Sequence, residues 1–221
     1  MLQCFGVTVR LMIITIAGMK GGVGKTTTAV QIAGNLAERG NTCLIDGDPN
    51  QSALNWARRS NSLPFEVMGV HQAARAARKY EHLIMDTKAR PDLDELRDLV
   101  EGCDLLIIPT TPDSLALEGM TLTIHALKEL RADNFRVLLT IIPPSPSRQG
   151  EDAREALTGA NIPIFERGIR RTVAFQTAAA EGILVGQVKS SDQSVSAARD
   201  YELVTEELCR VTESRSQSAT A

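Results

Sequence analysis

The sequence predicts an α/β protein in three layers, with a mostly parallel, twisted sheet flanked by helices on both faces. Short apolar runs alternate with segments of helical periodicity along nearly the whole chain, which is typical of parallel strands joined by helices. Most of these runs are continuous rather than alternating, which indicates strands that are covered on both faces. The chain has 221 residues, a length that one globular core can accommodate.

Seven apolar runs are predicted to be strands. They are Met12–Ala17, Thr42–Ile45, Phe65–Met68, His82–Met85, Leu105–Pro109, Arg136–Ile142 and Ile162–Phe165. Eight helices are predicted around them, and the clearest carries a regular apolar stripe that ends before Gly40. The helices are Lys25–Arg39, Gln51–Ser60, His71–Tyr80, Pro91–Glu101, Leu115–Arg131, Glu151–Thr158, Thr172–Glu181 and Gln193–Val211.

These elements predict one domain over residues 12–211, preceded by an N-terminal extension at 1–11 and followed by a disordered polar tail at 212–221. The net charge of −3 argues against a globally basic nucleic-acid coat protein, and an aromatic content of 4% argues against base-stacking platforms. The four cysteines lack the spacing of a zinc or iron–sulfur site. No apolar run approaches the roughly 18 residues of a membrane span.

The first predicted strand leads directly into a glycine-rich loop, and a helix follows the loop. Residues 18–27 read GMKGGVGKTT. Glycines let backbone amides wrap a phosphate, and the helix start adds its positive dipole end. Lys25 can reach the β- and γ-phosphates, and the Thr26 hydroxyl can ligate Mg²⁺. The predicted nucleotide-binding residues of the loop are Gly21, Gly22, Val23, Gly24, Lys25, Thr26 and Thr27.

This loop departs from the general GxxxxGK[ST] pattern, because Met19 stands at its first glycine and a second lysine, Lys20, precedes Lys25 by five residues. The form KGGVGKT resembles the deviant Walker A box of the ParA/MinD superfamily of P-loop NTPases. That resemblance implies ATP as the nucleotide and a nucleotide-sandwich homodimer. It also implies that Lys20 reaches the phosphates of the partner subunit, so that Lys20 and Lys25 both act in catalysis.

Carboxylates follow two further strands, at the sheet edge where such proteins bind ligands. Residues 46–52, DGDPNQS, resemble the family's A′ box, with Asn50 where glutamine is commoner. The resemblance assigns Asp48 to the attacking water and Asp46 to support of the metal shell. The strand from His82 ends at Asp86 in the layout of a Walker B motif, which holds Mg²⁺ through water. Together Thr26, Asp46 and Asp86 form the predicted metal site.

Later segments extend the resemblance over about residues 12–210. Pro143 and Pro144 stand where the family builds its adenine pocket, although prolines that only end a strand fit equally well. The predicted DNA contacts are Arg167, Arg170 and Arg171, since binding to DNA phosphates needs only local basic side chains.

The leading hypothesis for function is a ParA-type ATPase that dimerises with ATP and binds DNA without sequence preference. A ParB-like or adaptor protein would stimulate hydrolysis, and the cargo would be a plasmid or chromosome centromere complex. The alternatives are a positioning ATPase for a protein organelle such as carboxysomes, a metabolic phosphotransferase or ligase, and a nucleotide-gated binding module. The last predicted helix is more acidic than basic, so we expect no membrane docking and a cytoplasmic, nucleoid-associated protein.

Overall fold

The computed structural model describes residues 11–189 and 192–220, and a parallel sheet forms its centre. The strands are β1 Met12–Gly18, β2 Thr42–Gly47, β3 Glu66–Gly69, β4 His82–Ala89, β5 Leu105–Thr110 and β6 Phe135–Leu139. They lie in the order β3-β2-β4-β1-β5-β6, and each neighbouring pair is parallel. β1 lies between β4 and β5, so the loop that leaves it starts from the centre of the sheet.

A helix follows each of the six described strands, and two further helices come after the last of these. They are α1 Lys25–Ala37, α2 Ser52–Arg58, α3 Ala73–Ala76, α4 Leu93–Glu101, α5 Ser114–Glu129, α6 Gln149–Gly159, α7 Ala174–Glu181 and α8 Asp192–Thr220. Short 3-10 turns span Val70–Gln72 and Val185–Gln187. Among the described residues, no helix combines the length and apolar character that crossing a bilayer would require.

Both faces of the sheet are buried, which confirms the predicted three-layer architecture. Leu105 and Ile107 of β5 belong to the core that α1 and α8 cover, whereas Leu106 and Ile108 belong to the core under α4 and α5. Successive side chains of a strand point to opposite faces. A strand covered on both faces must therefore be apolar at every position, and this explains the continuous runs in the sequence.

The structure differs from the sequence prediction along the outer edge of β6. The predicted strand Ile162–Phe165 is only an isolated bridge between Ile164 and Val137. Pro163 has no amide hydrogen to donate, so a continuous ladder cannot form through this segment. The predicted strand Arg136–Ile142 also ends early, at Leu139. Ile141 has a φ of 53°, which is incompatible with an extended strand.

Two helical predictions also differ from the structure. The predicted helix His71–Tyr80 is reduced to Ala73–Ala76, because the chain beyond Ala76 tightens into bonds to the third residue back, from the Arg78 amide to Arg75 and from the Lys79 amide to Ala76. The predicted disordered tail at 212–221 is instead helical as far as Thr220. Thr212 is buried, and Arg215 pairs with Asp133 at 2.5 Å, so tertiary contacts hold this polar segment against the fold. Apart from Leu11, the predicted extension at 1–11 lies outside the described residues.

Candidate functional site

The loop between β1 and α1 has the backbone of a phosphate cradle. Gly22 and Gly24 have φ values of 77° and 85°, a region that side chains other than glycine disfavour. Gly24 is the residue before α1, and no side chain caps the helix there. The first amides of a helix lack partners within the helix, so an uncapped start favours an anion at this position.

Lys25 lies inside this loop. Its Nζ donates a hydrogen bond to the carbonyl oxygen of Lys20 at 3.1 Å, so the ammonium spans the loop. The side chain is buried, and this burial lowers the pKa of Lys25, while the charges of Asp86 and Asp48 oppose the shift. A partly desolvated ammonium in this position is suited to neutralising a bound phosphate.

Thr26 and Asp86 lie together where their oxygens could hold a cation. The Thr26 hydroxyl donates to Oδ2 of Asp86 at 2.7 Å. Asp86 is fully buried, and its Oδ1 has no hydrogen-bond partner among the described residues. Burial raises the pKa of Asp86 to about 7. An orphaned carboxyl oxygen beside a hydroxyl suits a hard divalent cation such as Mg²⁺, which prefers oxygen ligands and would satisfy both groups.

Asp46, near the end of β2, and Asp48, just after it, have different surroundings. Asp46 is buried beside Asp86 in the strand register and accepts hydrogen bonds from the amides of Asp48, at 3.0 Å, and Leu54, at 2.9 Å. It therefore fixes the shape of the loop that follows β2. Asp48 lines the cleft beside the phosphate loop, and its Oδ1 accepts from the Asn50 amide at 2.8 Å. This turn holds the Asp48 carboxylate at the edge of the cleft, where a water molecule could be oriented.

Lys20 is directed away from the interior of the loop. Its Nζ forms an ion pair with Oδ1 of Asp113 at 3.1 Å, and the two side chains are 37% and 49% exposed. Asp113 caps the start of α5 through the Ala116 amide. Hydrogen bonds from Thr111 and from Lys20 help to lower the pKa of Asp113 to about 2, so its carboxylate stays charged at neutral pH. The two lysines of the loop thus have different environments.

The phosphate loop lines a cleft of about 850 Å³, and Ile169, Phe175 and Tyr201 also line it. Lys88 also lines this cleft, but its ammonium pairs with Glu95 at 2.5 Å. The predicted base-contacting prolines, Pro143 and Pro144, line an adjacent cleft of about 670 Å³ instead. Both clefts are lined by residues 170–172, which separate them.

Of the predicted DNA contacts, Arg167 and Arg170 both bind a buried partner. They form ion pairs with Asp200, whose side chain is 1% exposed. The Nε of Arg167 lies 2.7 Å from one Asp200 oxygen, and the Nε of Arg170 lies 2.6 Å from the other. Arg171 is exposed, and the hydrogen bond from its backbone amide goes to the Ile142 carbonyl. Arg167 and Arg170 therefore attach the segment before α7 to α8, whereas Arg171 is the most accessible of the three arginines.

Thr140 is a further site residue, which the sequence analysis missed. Its hydroxyl donates to the carbonyl of Val23 in the phosphate loop at 2.8 Å and lies 3.1 Å from the carbonyl of Thr110. It thereby connects the end of β6 to both the loop and β5. Its only sequence signal is a single polar residue inside the apolar run at 137–142, which by itself is a weak indication.

Comparison with known proteins places this geometry among nucleotide-binding domains. Residues 14–185 match the family model described as "CobQ/CobB/MinD/ParA nucleotide binding domain". The chain is 34% identical over 204 residues to the "Maintenance of carboxysome distribution protein A" of Gloeobacter kilaueensis, covering 90% of this chain and 94% of that protein. It is 36% identical over 157 residues to the "Chromosome-partitioning ATPase Soj" of Thermus thermophilus, covering 68% of this chain and 53% of that protein.

The fold also matches solved structures. A plasmid partition protein of Borrelia burgdorferi B31, solved with bound AMPPNP, superimposes with a TM-score of 0.71 at 18% sequence identity. The match covers 91% of this chain and 99% of that one. At this level of identity, the likeness concerns the fold.

Proposed function

Because the chain belongs to the CobQ/CobB/MinD/ParA family of nucleotide-binding domains, we propose that it is a Mg²⁺-dependent ATPase of the ParA type, which positions a large cargo through an ATP-bound dimer. The observation that carries this proposal is that the two lysines of one phosphate loop occupy different positions. Lys25 spans the interior of the loop, whereas Lys20 lies on the surface, from which it could reach a second subunit.

The catalytic roles follow from the surroundings of each residue. Lys25 and the loop amides bind the β- and γ-phosphates, and the uncapped start of α1 adds a favourable dipole. Thr26 and Asp86 would hold Mg²⁺, which neutralises charge on the phosphates when bound. Asp48 orients the attacking water, while Asp46 holds the loop that carries Asp48. ATP turnover that requires Mg²⁺, measured as phosphate release, tests this assignment.

Dimerisation would require Lys20 to leave Asp113, and we predict that Asp113→Asn favours the ATP-bound dimer. Asparagine caps a helix as well as aspartate does, so α5 should stay intact while the charge disappears. Both side chains are well exposed, so the ion pair contributes only about 0.2–1 kcal/mol. We therefore expect the dimer dissociation constant, measured by analytical ultracentrifugation with ATP, to fall by no more than about five-fold.

The matched control is Asp94→Asn, which removes an aspartate from another exposed ion pair, that with Arg97 at 2.7 Å. This control should dimerise as the unaltered protein does. A dissociation constant that stays the same or rises in Asp113→Asn would show that the contact with Asp113 does not restrain Lys20.

We also propose that the protein binds DNA without sequence preference and that Arg171 contacts the DNA phosphates. Its side chain is exposed, whereas Arg167 and Arg170 are paired with Asp200. We predict that Arg171→Glu weakens ATP-dependent DNA binding by about 10-fold and lowers the salt dependence of binding by about two phosphate contacts per dimer. Because Arg171 also lines the nucleotide cleft, fluorescence anisotropy with random-sequence duplex DNA measures both quantities at several salt concentrations and at an ATP concentration that saturates each variant.

Arg97→Glu, which makes the same charge change on α4, is the control for Arg171→Glu. It should bind DNA with unchanged salt dependence, because α4 carries a mainly acidic exposed surface. If Arg171→Glu retains the affinity and salt dependence of the unaltered protein, Arg171 does not contact DNA. Glutamate at position 170 would be a poorer test, because it would place a second carboxylate beside the buried Asp200 and disturb the fold.

The relatives differ in how much of their length this chain matches, and this difference bears on the cargo. The carboxysome distribution protein matches over nearly the full length of both chains, whereas the chromosome-partitioning relative matches over about half of its own length. Positioning of a protein compartment is therefore supported at least as well as segregation of a centromere complex. In either case the protein would work over the nucleoid, with a ParB-like or adaptor protein stimulating hydrolysis.

A further inference from the structure

Strand β4 carries one residue more than its neighbour β1 at the edge of the phosphate loop. From Ile16 to Gly18, β1 advances by two residues, whereas the paired residues of β4 advance by three, from Asp86 to Ala89. An extra residue of this kind is rare between parallel strands, and such irregularities are common beside active sites, where they redirect a side chain. Lys88 lies within this extra segment, directly beside the start of the loop.

The position of Lys88 in the sheet places it near the predicted attacking water. Strands β2 and β4 are parallel, and Gly47 pairs with Thr87. The next residues along the chain are Asp48 and Lys88, and both line the candidate nucleotide cleft. The water that Asp48 would orient attacks the γ-phosphate, so a cation that starts from the neighbouring strand position lies within reach of the same phosphate.

In the empty protein, Lys88 forms an exposed ion pair with Glu95. Its Nζ donates to Oε1 of Glu95 at 2.5 Å, and the two side chains are 42% and 40% exposed. This hydrogen bond raises the pKa of Lys88, so the side chain is charged at neutral pH. Glu95 is also held independently, because its Oε2 accepts from the Asp92 amide at 2.9 Å in the cap of α4. Lys88 can therefore leave Glu95 without disturbing the helix.

We propose that Lys88 contacts the γ-phosphate of bound ATP and thereby makes the site prefer ATP to ADP. This inference rests on the proposed ATPase function. The γ-phosphate adds negative charge near the Asp48 carboxylate, and the Lys88 ammonium offsets the resulting repulsion. ADP ends at the β-phosphate, which Lys25 and the loop amides bind, so ADP leaves Lys88 paired with Glu95.

Calorimetric titration with Mg-ADP and with Mg-AMPPNP, an ATP analogue that resists hydrolysis, provides the first measurement. Lys88→Met keeps most of the apolar stem and removes the charge. It should weaken AMPPNP binding by about 10-fold, as expected for losing one charge-assisted hydrogen bond, and leave ADP binding within about two-fold. Unchanged AMPPNP binding would overturn the proposal, and so would an equal loss of both ligands, which would indicate a distorted cleft.

The matched control is Lys79→Met, which removes a lysine from another exposed ion pair with a glutamate, that with Glu66 of the edge strand β3 at 3.2 Å. It should bind both ligands as the unaltered protein does. Because both ion pairs are exposed, the Tm of each nucleotide-free variant should stay within about 2 °C of the unaltered value.

Glu95→Gln tests the same contact from the other side and keeps Lys88 in place. Glutamine completes a capping box as glutamate does, so the start of α4 should remain intact. Without the carboxylate, Lys88 is free to bind the γ-phosphate, and AMPPNP affinity should rise by about two- to five-fold while ADP affinity stays the same. An equal or lower AMPPNP affinity would show that Glu95 does not compete with the γ-phosphate for Lys88.

The titrations are repeated in a Lys20→Ala background, because AMPPNP would also favour pairing of subunits through Lys20. The loss of AMPPNP affinity in Lys88→Met should persist in this background. If it disappeared, Lys88 would act through the partner subunit, and the contact with the γ-phosphate of its own subunit would be overturned. If the unaltered protein bound neither AMPPNP nor ADP, the proposed function itself would fail.

Discussion

Replacing Lys25 by alanine is expected to abolish nucleotide binding without destabilising the empty protein. The ammonium lies inside the glycine-rich loop, where we propose that it neutralises a bound phosphate. Because burial lowers the pKa of Lys25, the charged side chain is already unfavourable in the empty fold, and its removal should leave the Tm unchanged or raised. Loss of function and loss of fold can therefore be separated in a single experiment.

Thermal unfolding with and without Mg-ADP provides the measurement. At a ligand concentration of about 100 times the dissociation constant, binding should raise the Tm of the unaltered protein by about 5–10 °C. Lys25→Ala should show no such rise, whereas the control Lys128→Ala, an exposed lysine on α5, should retain the full rise. A normal ligand-induced rise in Lys25→Ala would mean that the nucleotide does not bind in this loop.

Asp86→Asn is expected to lower ATP turnover by about 100-fold or more, because the substitution removes the buried carboxylate that is suited to holding Mg²⁺.

The same variant tests the electrostatics of the empty site. Burial raises the pKa of Asp86 from its ordinary value of 3.8 to about 7. A raised pKa in the folded state means that the folded protein binds the proton more tightly than the unfolded chain does.

The sign of the pH effect follows from this tighter proton binding. The stability that the protonated Asp86 carboxyl provides is present in full below about pH 4 and is lost as the pH rises to about 7. The free energy of unfolding of Asp86→Asn, relative to the unaltered protein, should therefore increase over this interval, by about 4 kcal/mol at most, and level off above it. Chemical denaturation without metal or nucleotide measures the difference. A difference that does not vary with pH would show that Asp86 titrates normally.

The sequence was most informative where local chemistry determines the structure. The position of the phosphate loop could be predicted to within a few residues. Its backbone needs positive φ angles, which glycine adopts readily, and its lysines mark the same segment. Asp86 could be located because a carboxylate directly after the apolar run at 82–85 stands out against its neighbours, although β4 itself continues to Ala89. The parallel sheet followed from continuous apolar runs, although the run at 162–165 shows that apolar character alone does not ensure a ladder through a proline.

The features that the sequence did not predict depend on contacts between distant segments. Thr140 bonds to a loop carbonyl 117 positions away, and no local pattern marks that pairing. Asp200 lies in a helix whose sequence carries no recognisable motif, yet it forms ion pairs with Arg167 and Arg170, the two arginines that the sequence predicts to contact DNA. The polar segment after Val211 lacks an apolar stripe, and its helix is supported by the contact of Arg215 with Asp133.

We expect ATP to join two subunits and the joined pair to bind DNA. The most direct test is size-exclusion chromatography with light scattering, run with ATP, with ADP and without nucleotide, each with and without random-sequence duplex DNA. We predict a dimer that co-elutes with DNA only when ATP is present, and a monomer that elutes apart from DNA in the other two conditions. A species whose mass and DNA retention do not change with nucleotide would contradict the account.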